Sequence, residues 1–201
     1  MATKLFVGLG NPGREYDGTR HNVGFYVLDR FCSTKGENWK LDKKLECELA
    51  LIKSDNGNLI LSKPTTFVNE SGRAVQKICR FFKINPSEVV IICDDISFDV
   101  GEFKLTGRSG SAGHNGLIDI LSKIGPGFIR FRIGVGTKKN KAMDLKDHVL
   151  GKFTEEEQRI IELMMPKILY DLQLLLDKGL ECSMNLTNRR KTYDEQEKLQ
   201  S

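Results

Sequence analysis

Apolar and polar positions divide the chain into alternating strands and helices. Residues 3 to 9, Thr-Lys-Leu-Phe-Val-Gly-Leu, form an apolar run of strand length, and Val23 to Phe31 repeats its apolar residues at helical spacing. Residues 46 to 53 and 58 to 63 flank Ser-Asp-Asn-Gly-Asn, a polar turn whose Asn-Gly marks a hairpin. Ser71 to Phe82 sets Ala74, Val75, Ile78, Phe81 and Phe82 on one side of a helix that ends before Asn85-Pro86. Val89-Val90-Ile91-Ile92-Cys93 is apolar throughout, as in a strand covered on both faces, and Asp94 and Asp95 end it. Residues 103 to 105 and 129 to 135 read as strands, and 114 to 123 as a helix. Thr154 and the three glutamates after it start a long helix, with the acids at the positive end of its dipole. That helix is expected to reach about Lys178, to kink or break at Pro166 and to stop at Gly179.

Strands alternating with helices indicate an α/β fold, and the hairpin makes the sheet mixed. The expectation is a single-domain three-layer sandwich over residues 1 to 188, a twisted mixed sheet flanked by helices. Residues 189 to 201 are polar and mixed in charge, and are expected to fray. No apolar stretch approaches the roughly 20 residues of a membrane span, and no signal region precedes the first strand. The sequence therefore reads as a soluble, cytoplasmic protein. Its five cysteines are scattered, without a Cys-x-x-Cys pair or a histidine at ligand spacing, so reduced, mostly buried thiols and no metal are expected.

Net charge is only +4, which by itself does not require a polyanionic partner. Its distribution says more: Arg130, Arg132, Lys138, Lys139, Lys141 and Lys146 crowd one stretch that contains the single acid Asp144. Such a stretch is either a solvated loop or a phosphate-contacting face.

Gly8-Leu9-Gly10-Asn11-Pro12-Gly13 satisfies the dinucleotide-binding pattern, but its context does not. After Gly13 comes Arg-Glu-Tyr-Asp-Gly-Thr-Arg-His-Asn, which has no apolar helical stripe, and no second strand tipped by an acid follows. What remains is a polar loop at the carboxyl end of the first strand, the usual place for a site in an open α/β sheet. It carries Asn11, Tyr16, Arg20, His21 and Asn22. Three more segments are similarly loaded: Lys63 to Gly72, Cys93-Asp94-Asp95, and the glycine-rich Thr106 to Gly116. With neighbouring strands, all four converge on one edge.

Together, GLGNPG-x-x-Y-x-x-T-R-H-N-x-G, KPTTFVNESG, the acid after the buried strand and GHNGL resemble the bacterial-type peptidyl-tRNA hydrolases, over about residues 4 to 185. The resemblance implies a usually monomeric, metal-free, cofactor-free enzyme. Such an enzyme hydrolyses the ester joining a peptide to the 3′ end of tRNA and so recycles tRNA from stalled translation. It makes His21 the general base, Asp94 its partner, and Asn11, Asn69 and Asn115 the positioning amides. Tyr16 and Phe67 match positions lining the site near the tRNA end. Two departures stand out: Val68 replaces a usual methionine, and Ser111-Ala112-Gly113 replaces a run richer in glycine. Neither removes a chemical group.

The residues are compatible with this chemistry, although a lone histidine beside an arginine in a loop reads, without the motifs, as a surface residue. Without a G-x-S-x-G elbow, water is the expected nucleophile, and a histidine has the intrinsic pKa to activate it. Asp94 is expected to fix the tautomer of His21, with Asp95 as the alternative carboxylate. Asn69 suits either oxyanion donation or helix capping, and Asn11 is expected to accept a peptide N–H. Lys104, Arg108, Arg132 and Lys138 are the candidate phosphate contacts on the acceptor stem. His114 is expected to orient the glycine-rich loop, and His148 to be structural or solvent-facing. The competing readings are an RNA-binding protein on the same scaffold without catalysis, a small-molecule esterase, and a Rossmann-type oxidoreductase.

Overall fold

The computed structural model describes residues 3–54, 57–107, 110–138 and 144–188. In chain order its elements are β1 (Thr3–Gly8), α1 (Val23–Thr34), β2 (Lys40–Asp42), β3 (Cys47–Ser54), β4 (Gly57–Pro64), α2 (Ser71–Phe82), β5 (Val89–Asp95), β6 (Phe103–Thr106), α3 (Asn115–Ile124), β7 (Ile129–Gly134), α4 (Leu145–Leu150) and α5 (Glu155–Thr187). The strands form a seven-stranded mixed sheet in the order β2-β3-β4-β1-β5-β7-β6. β4, β1, β5 and β7 run parallel, while β2, β3 and β6 enter antiparallel.

The period of two along the central strands explains the three layers. Phe6, Val90 and Ile92 face α1 and α5, where they meet Val27, Phe31, Met164 and Ile168. Leu5, Val7, Val89, Ile91 and Cys93 face α2 and α3, against Val75, Ile78, Leu117 and Ile120. Both faces are covered, so the strand has no polar alternation to show. Among the described residues no helix is long and apolar enough to cross a membrane. All five cysteines are free, and four of them are buried.

The glycines at the end of β1 serve packing. A Cβ on Gly8 would stand 2.4 Å from the Gly24 carbonyl oxygen, and one on Gly24 would stand 2.4 Å from the Ile92 carbonyl oxygen. α1 can therefore press its first turn onto the ends of β1 and β5. No helix begins in the glycine loop itself; Gly13 leads into a single 3-10 turn, Arg14–Tyr16.

Several expectations need correction. Phe81 is 68% exposed and leaves the apolar face of α2, which Ala74, Val75, Ile78 and Cys79 make with half-buried Phe82. Pro166 does not break α5; burial of Ile161, Met164, Met165 and Ile168 on both sides offsets the one backbone bond that proline forfeits. The break falls at Gly179 (φ 74°), after which a helical segment resumes. It ends at Asn188, whose side-chain amide exchanges two 2.8 Å hydrogen bonds with the Leu105 backbone and closes the open edge of β6. β2 and α4, of three and six residues, are too short to show a period. The tail from residue 189 lies outside the described residues.

Candidate active site

His21 is the middle residue of a one-turn 3-10 helix, Arg20–Asn22, directly before α1. Its Nδ1 lies 2.7 Å from Asp94 Oδ1 at the end of β5, and His114 Nε2 meets the same oxygen at 3.0 Å. The other nitrogen of His114 fixes its tautomer. Nδ1 accepts the backbone N–H groups of Gly116 (3.1 Å) and Leu117 (3.4 Å), capping α3, so Nε2–H is the group that donates to Asp94. An ionised carboxylate only accepts, so His21 Nδ1–H donates as well, leaving the Nε2 lone pair of His21 uncommitted.

The fork sets the electrostatics. Burial alone pushes the Asp94 carboxyl up, but the imidazoles of His114 and His21 outweigh it and hold Asp94 well below the usual carboxylate range. Burial pulls the His21 imidazole down, and the Asp94 carboxylate beside it more than reverses this, leaving His21 above its ordinary 6.5. His21, Asp94 and His114 also place three possible metal-ligand atoms within 4.8 Å of one another. Burial pushes the neighbouring Cys93 thiol up, and Asp94 and Asp95 add to the effect, so it is no nucleophile.

The two adjacent acids part company because successive residues of a strand point to opposite faces. Asp95 receives Arg132 through a short ion pair and the Ser97 backbone N–H at 2.8 Å. Asp94 is therefore the carboxylate against His21.

Around the fork lies a cleft of about 710 Å³ that includes Asn11, Tyr16, Phe67, Asn69 and Asn115 in its walls. Three of the four loaded segments reach it directly from the carboxyl ends of β1, β4 and β5. The fourth leaves β6, whose antiparallel register pairs Thr106 with Arg130 at the far end of β7, and the chain returns to line the cleft from Gly110 to Asn115. α4 supplies a further wall through Leu145, Lys146, Val149 and Leu150.

Asn11 departs from expectation. Its Oδ1 accepts the Val68 N–H at 2.9 Å, so the group left for a ligand is the Nδ2 donor. Asn22 clamps the Asn11 backbone with two reciprocal 2.9 Å bonds. Asn69 caps no helix: the flanking turns carry no side-chain cap. Both Asn69 and Asn115 are exposed in the cleft. Tyr16 meets Phe67 edge to face at 6.2 Å, and Phe67 is half exposed.

The basic residues divide. Lys104 is exposed and sits directly opposite Arg132 across β6 and β7. Arg132 lines the cleft, held by Asp95 and stacked on Phe98 at 4.8 Å, while Lys138 is half-buried beyond β7. Arg130 is 2% exposed over the Phe128 ring, which removes it from any solvated face. Arg108, Lys139 and Lys141 lie outside the described residues. His148 is buried with Nε2 2.9 Å from the Gly136 carbonyl, a structural role.

Sequence reasoning undervalued His114 and Asn22. The available signal was positional: each immediately precedes a helix, where a side chain can reach backbone groups.

Known proteins share this arrangement of the chain. A peptidyl-tRNA hydrolase from Akkermansia muciniphila is 38% identical over 186 residues, covering 92% of this chain and 95% of the relative. One from Rickettsia africae is 38% identical over 177 residues, covering 88% and 95%. The crystal structure of peptidyl-tRNA hydrolase from Acinetobacter baumannii superposes with a TM-score of 0.88 at 35% identity, covering 94% of this chain and 96% of that one. A 5′-methylthioadenosine nucleosidase from Arabidopsis thaliana, at a TM-score of 0.51 and 7% identity, shares the fold alone. The peptidyl-tRNA hydrolase family model matches residues 5–196, and the chain belongs to that family.

Proposed function

We propose that the chain hydrolyses the ester between a peptide, or an N-blocked amino acid, and the 3′ ribose of tRNA, with water activated by His21 and Asp94. Membership of the family makes it an enzyme and supports peptidyl-tRNA as its substrate. The observation that carries the finer reading is the fork at Asp94 Oδ1, which commits His21 Nδ1 to the carboxylate and leaves Nε2 of the neutral imidazole as the acceptor.

In this mechanism His21 Nε2 removes a proton from a water molecule as its oxygen attacks the ester carbonyl. The Asp94 carboxylate stabilises the imidazolium that forms. The amide donors of Asn69, Asn115 and Asn11 Nδ2 are available to the oxyanion and the peptide carbonyls; loss of one such oxyanion donor costs about 10²- to 10³-fold in rate. Collapse of the tetrahedral intermediate breaks the bond to the ribose 3′ oxygen, which takes the proton back from His21. The products are a free peptide acid and tRNA. His114 acts through Asp94, holding its oxygen on the axis to His21. Tyr16 and Phe67 offer ring surfaces near the tRNA end. Lys104, Arg132 and Lys138, with Arg108, supply phosphate contacts that grip any acceptor stem without reading its sequence. The protein works as a cytoplasmic monomer.

The test is release of N-acetyl amino acid from N-acetyl-aminoacyl-tRNA, with a chelator present, by the wild type and His21→Ala, using free aminoacyl-tRNA as control. Selective turnover of the blocked substrate, lost in the variant, is expected. Binding of tRNA without turnover would replace this reading with an RNA-binding one. Turnover abolished by the chelator would instead make His21, Asp94 and His114 metal ligands.

A further inference from the structure

The loop that bears His21 is fastened to a distant part of the chain by the residue next to it. Arg20 is 6% exposed, and its guanidinium serves the junction between α4 and α5 rather than solvent. Nη1 donates to the Lys152 carbonyl in a short bond, Nη2 lies 2.6 Å from Glu157 Oε2, and the guanidinium lies over the Phe153 ring at 5.0 Å. The backbone adds to this: Arg20 N–H donates to Gly151 O at 3.0 Å, and Thr19 bridges to Lys152.

Glu157 has a second task. The same Oε2 accepts the Thr154 N–H at 2.8 Å, completing the capping box that starts α5. One carboxylate oxygen thus ties the start of α5 to the turn that holds His21. The preceding element, α4, is a wall of the cleft. Nothing in this set of contacts touches the fork itself. Imidazole orientation depends on it all the same, because the hydrogen bond that holds the His21 ring among the described residues is the one from Nδ1 to Asp94, and its backbone is held by the Arg20–Asn22 turn.

We propose that Arg20, through Glu157, is a positioning residue that sets the direction of His21 Nε2 toward the substrate ester and locks that direction to the α4 wall. The proposal rests on the hydrolytic reading above for its kinetic consequence, but not for its geometric one.

Two variants separate this role from a merely structural one. Arg20→Lys keeps the charge but loses the two-pronged donor and the planar stack. Glu157→Gln keeps a residue able to complete the capping box but removes the anion facing Arg20. Melting temperature, kcat, KM and the pH midpoint of His21 are measured for each, the midpoint by NMR titration of the imidazole. The groups that face His21 are Asp94 from β5 and His114 from the cap of α3, and the midpoint is set by burial and the Asp94 carboxylate. In both variants we expect kcat to fall by about tenfold or more, since misplacement by about 1 Å costs up to about 10²-fold. KM is expected to stay within about twofold, and the midpoint to move down toward the ordinary histidine value as the bond to Asp94 loosens.

Unchanged kcat and midpoint with a lowered melting temperature would overturn the proposal and leave Arg20 a structural staple. A rise in KM alone would overturn it too, assigning the contact to the α4 wall. If the wild type does not turn over blocked aminoacyl-tRNA, the hydrolytic reading fails separately. An unmoved midpoint in Arg20→Lys, where no charge is lost, then decides against the positioning role, and a lowered one decides for it.

Discussion

Asp94 and Asp95 are neighbours in sequence at the end of the same strand, yet their side chains leave opposite faces of it and take different partners at one cleft. Asp94 holds two imidazoles on one oxygen, 2.7 and 3.0 Å away, so the charge it carries is met by groups that can titrate. Asp95 holds Arg132, whose charge is permanent, and the backbone of the following turn. In the proposed function the first would act on the ester and the second would hold a cation for phosphate. Strand alternation is what lets two identical residues be assigned to such different work without interfering.

Mutations can break this division or sharpen it. The largest effect is expected from His21→Ala, a loss of about 10²- to 10⁴-fold in kcat with little change in tRNA affinity, measured on N-acetyl-aminoacyl-tRNA. Asp94→Asn should follow at about 10²-fold. It should also shift the acid limb of the kcat/KM profile to lower pH, because the carboxylate that keeps His21 above 6.5 loses its charge. Asp95→Asn must leave that limb in place. Equal shifts in the two variants would mean that the two sides are not separate.

The same residue leaves a signature in stability. The folded Asp94 carboxyl titrates below its ordinary 3.8, so its contribution is present above that pH and is lost as pH falls through the folded value. Acid unfolding should therefore be shallower in Asp94→Asn than in the wild type. On the other side, Arg132→Gln and Lys104→Gln should each raise KM several-fold at constant kcat. Each should also reduce the slope of affinity against salt by about one, as one phosphate contact is lost. The smallest effect is expected at Ala112, which adopts φ 50° where a glycine would carry no strain. Ala112→Gly should stabilise by about 1 kcal/mol or less in urea unfolding, the relief being partly cancelled by the freer unfolded chain.

The elements that were legible in the sequence are those whose apolar residues repeat over several turns or several pleats. β5 announced itself by five apolar residues in a row, and α2 and the first part of α5 by their periods and boundaries. His21, Asp94 and the three asparagines were legible as candidates only through the motifs, because they stand at strand ends, turns and helix starts, where no apolar period marks a position. Short elements were not: three residues of β2 carry no period, and α4 is defined by the Asp144 cap and by packing against the His21 turn. Pro166 and Phe81 were misread because local preference and helical phase do not reveal what a helix packs against.

The sequence by itself determined the alternation of elements, the two-sided burial of the central strands and the residue types that carry the chemistry, since these follow from periodicity and side-chain functional groups. Tertiary structure decided the partnerships. Only the parallel neighbours β1 and β5 bring residue 21 to residue 94, and only the crossing from β6 back to α3 brings His114 to the same oxygen. The direction of an amide, such as Asn11 turned so that its oxygen meets Val68, depends on a neighbour more than fifty residues away. Hydrogen bonds are short and directional, so a composition that permits many pairings yields one only when the packed backbone fixes distance and angle together.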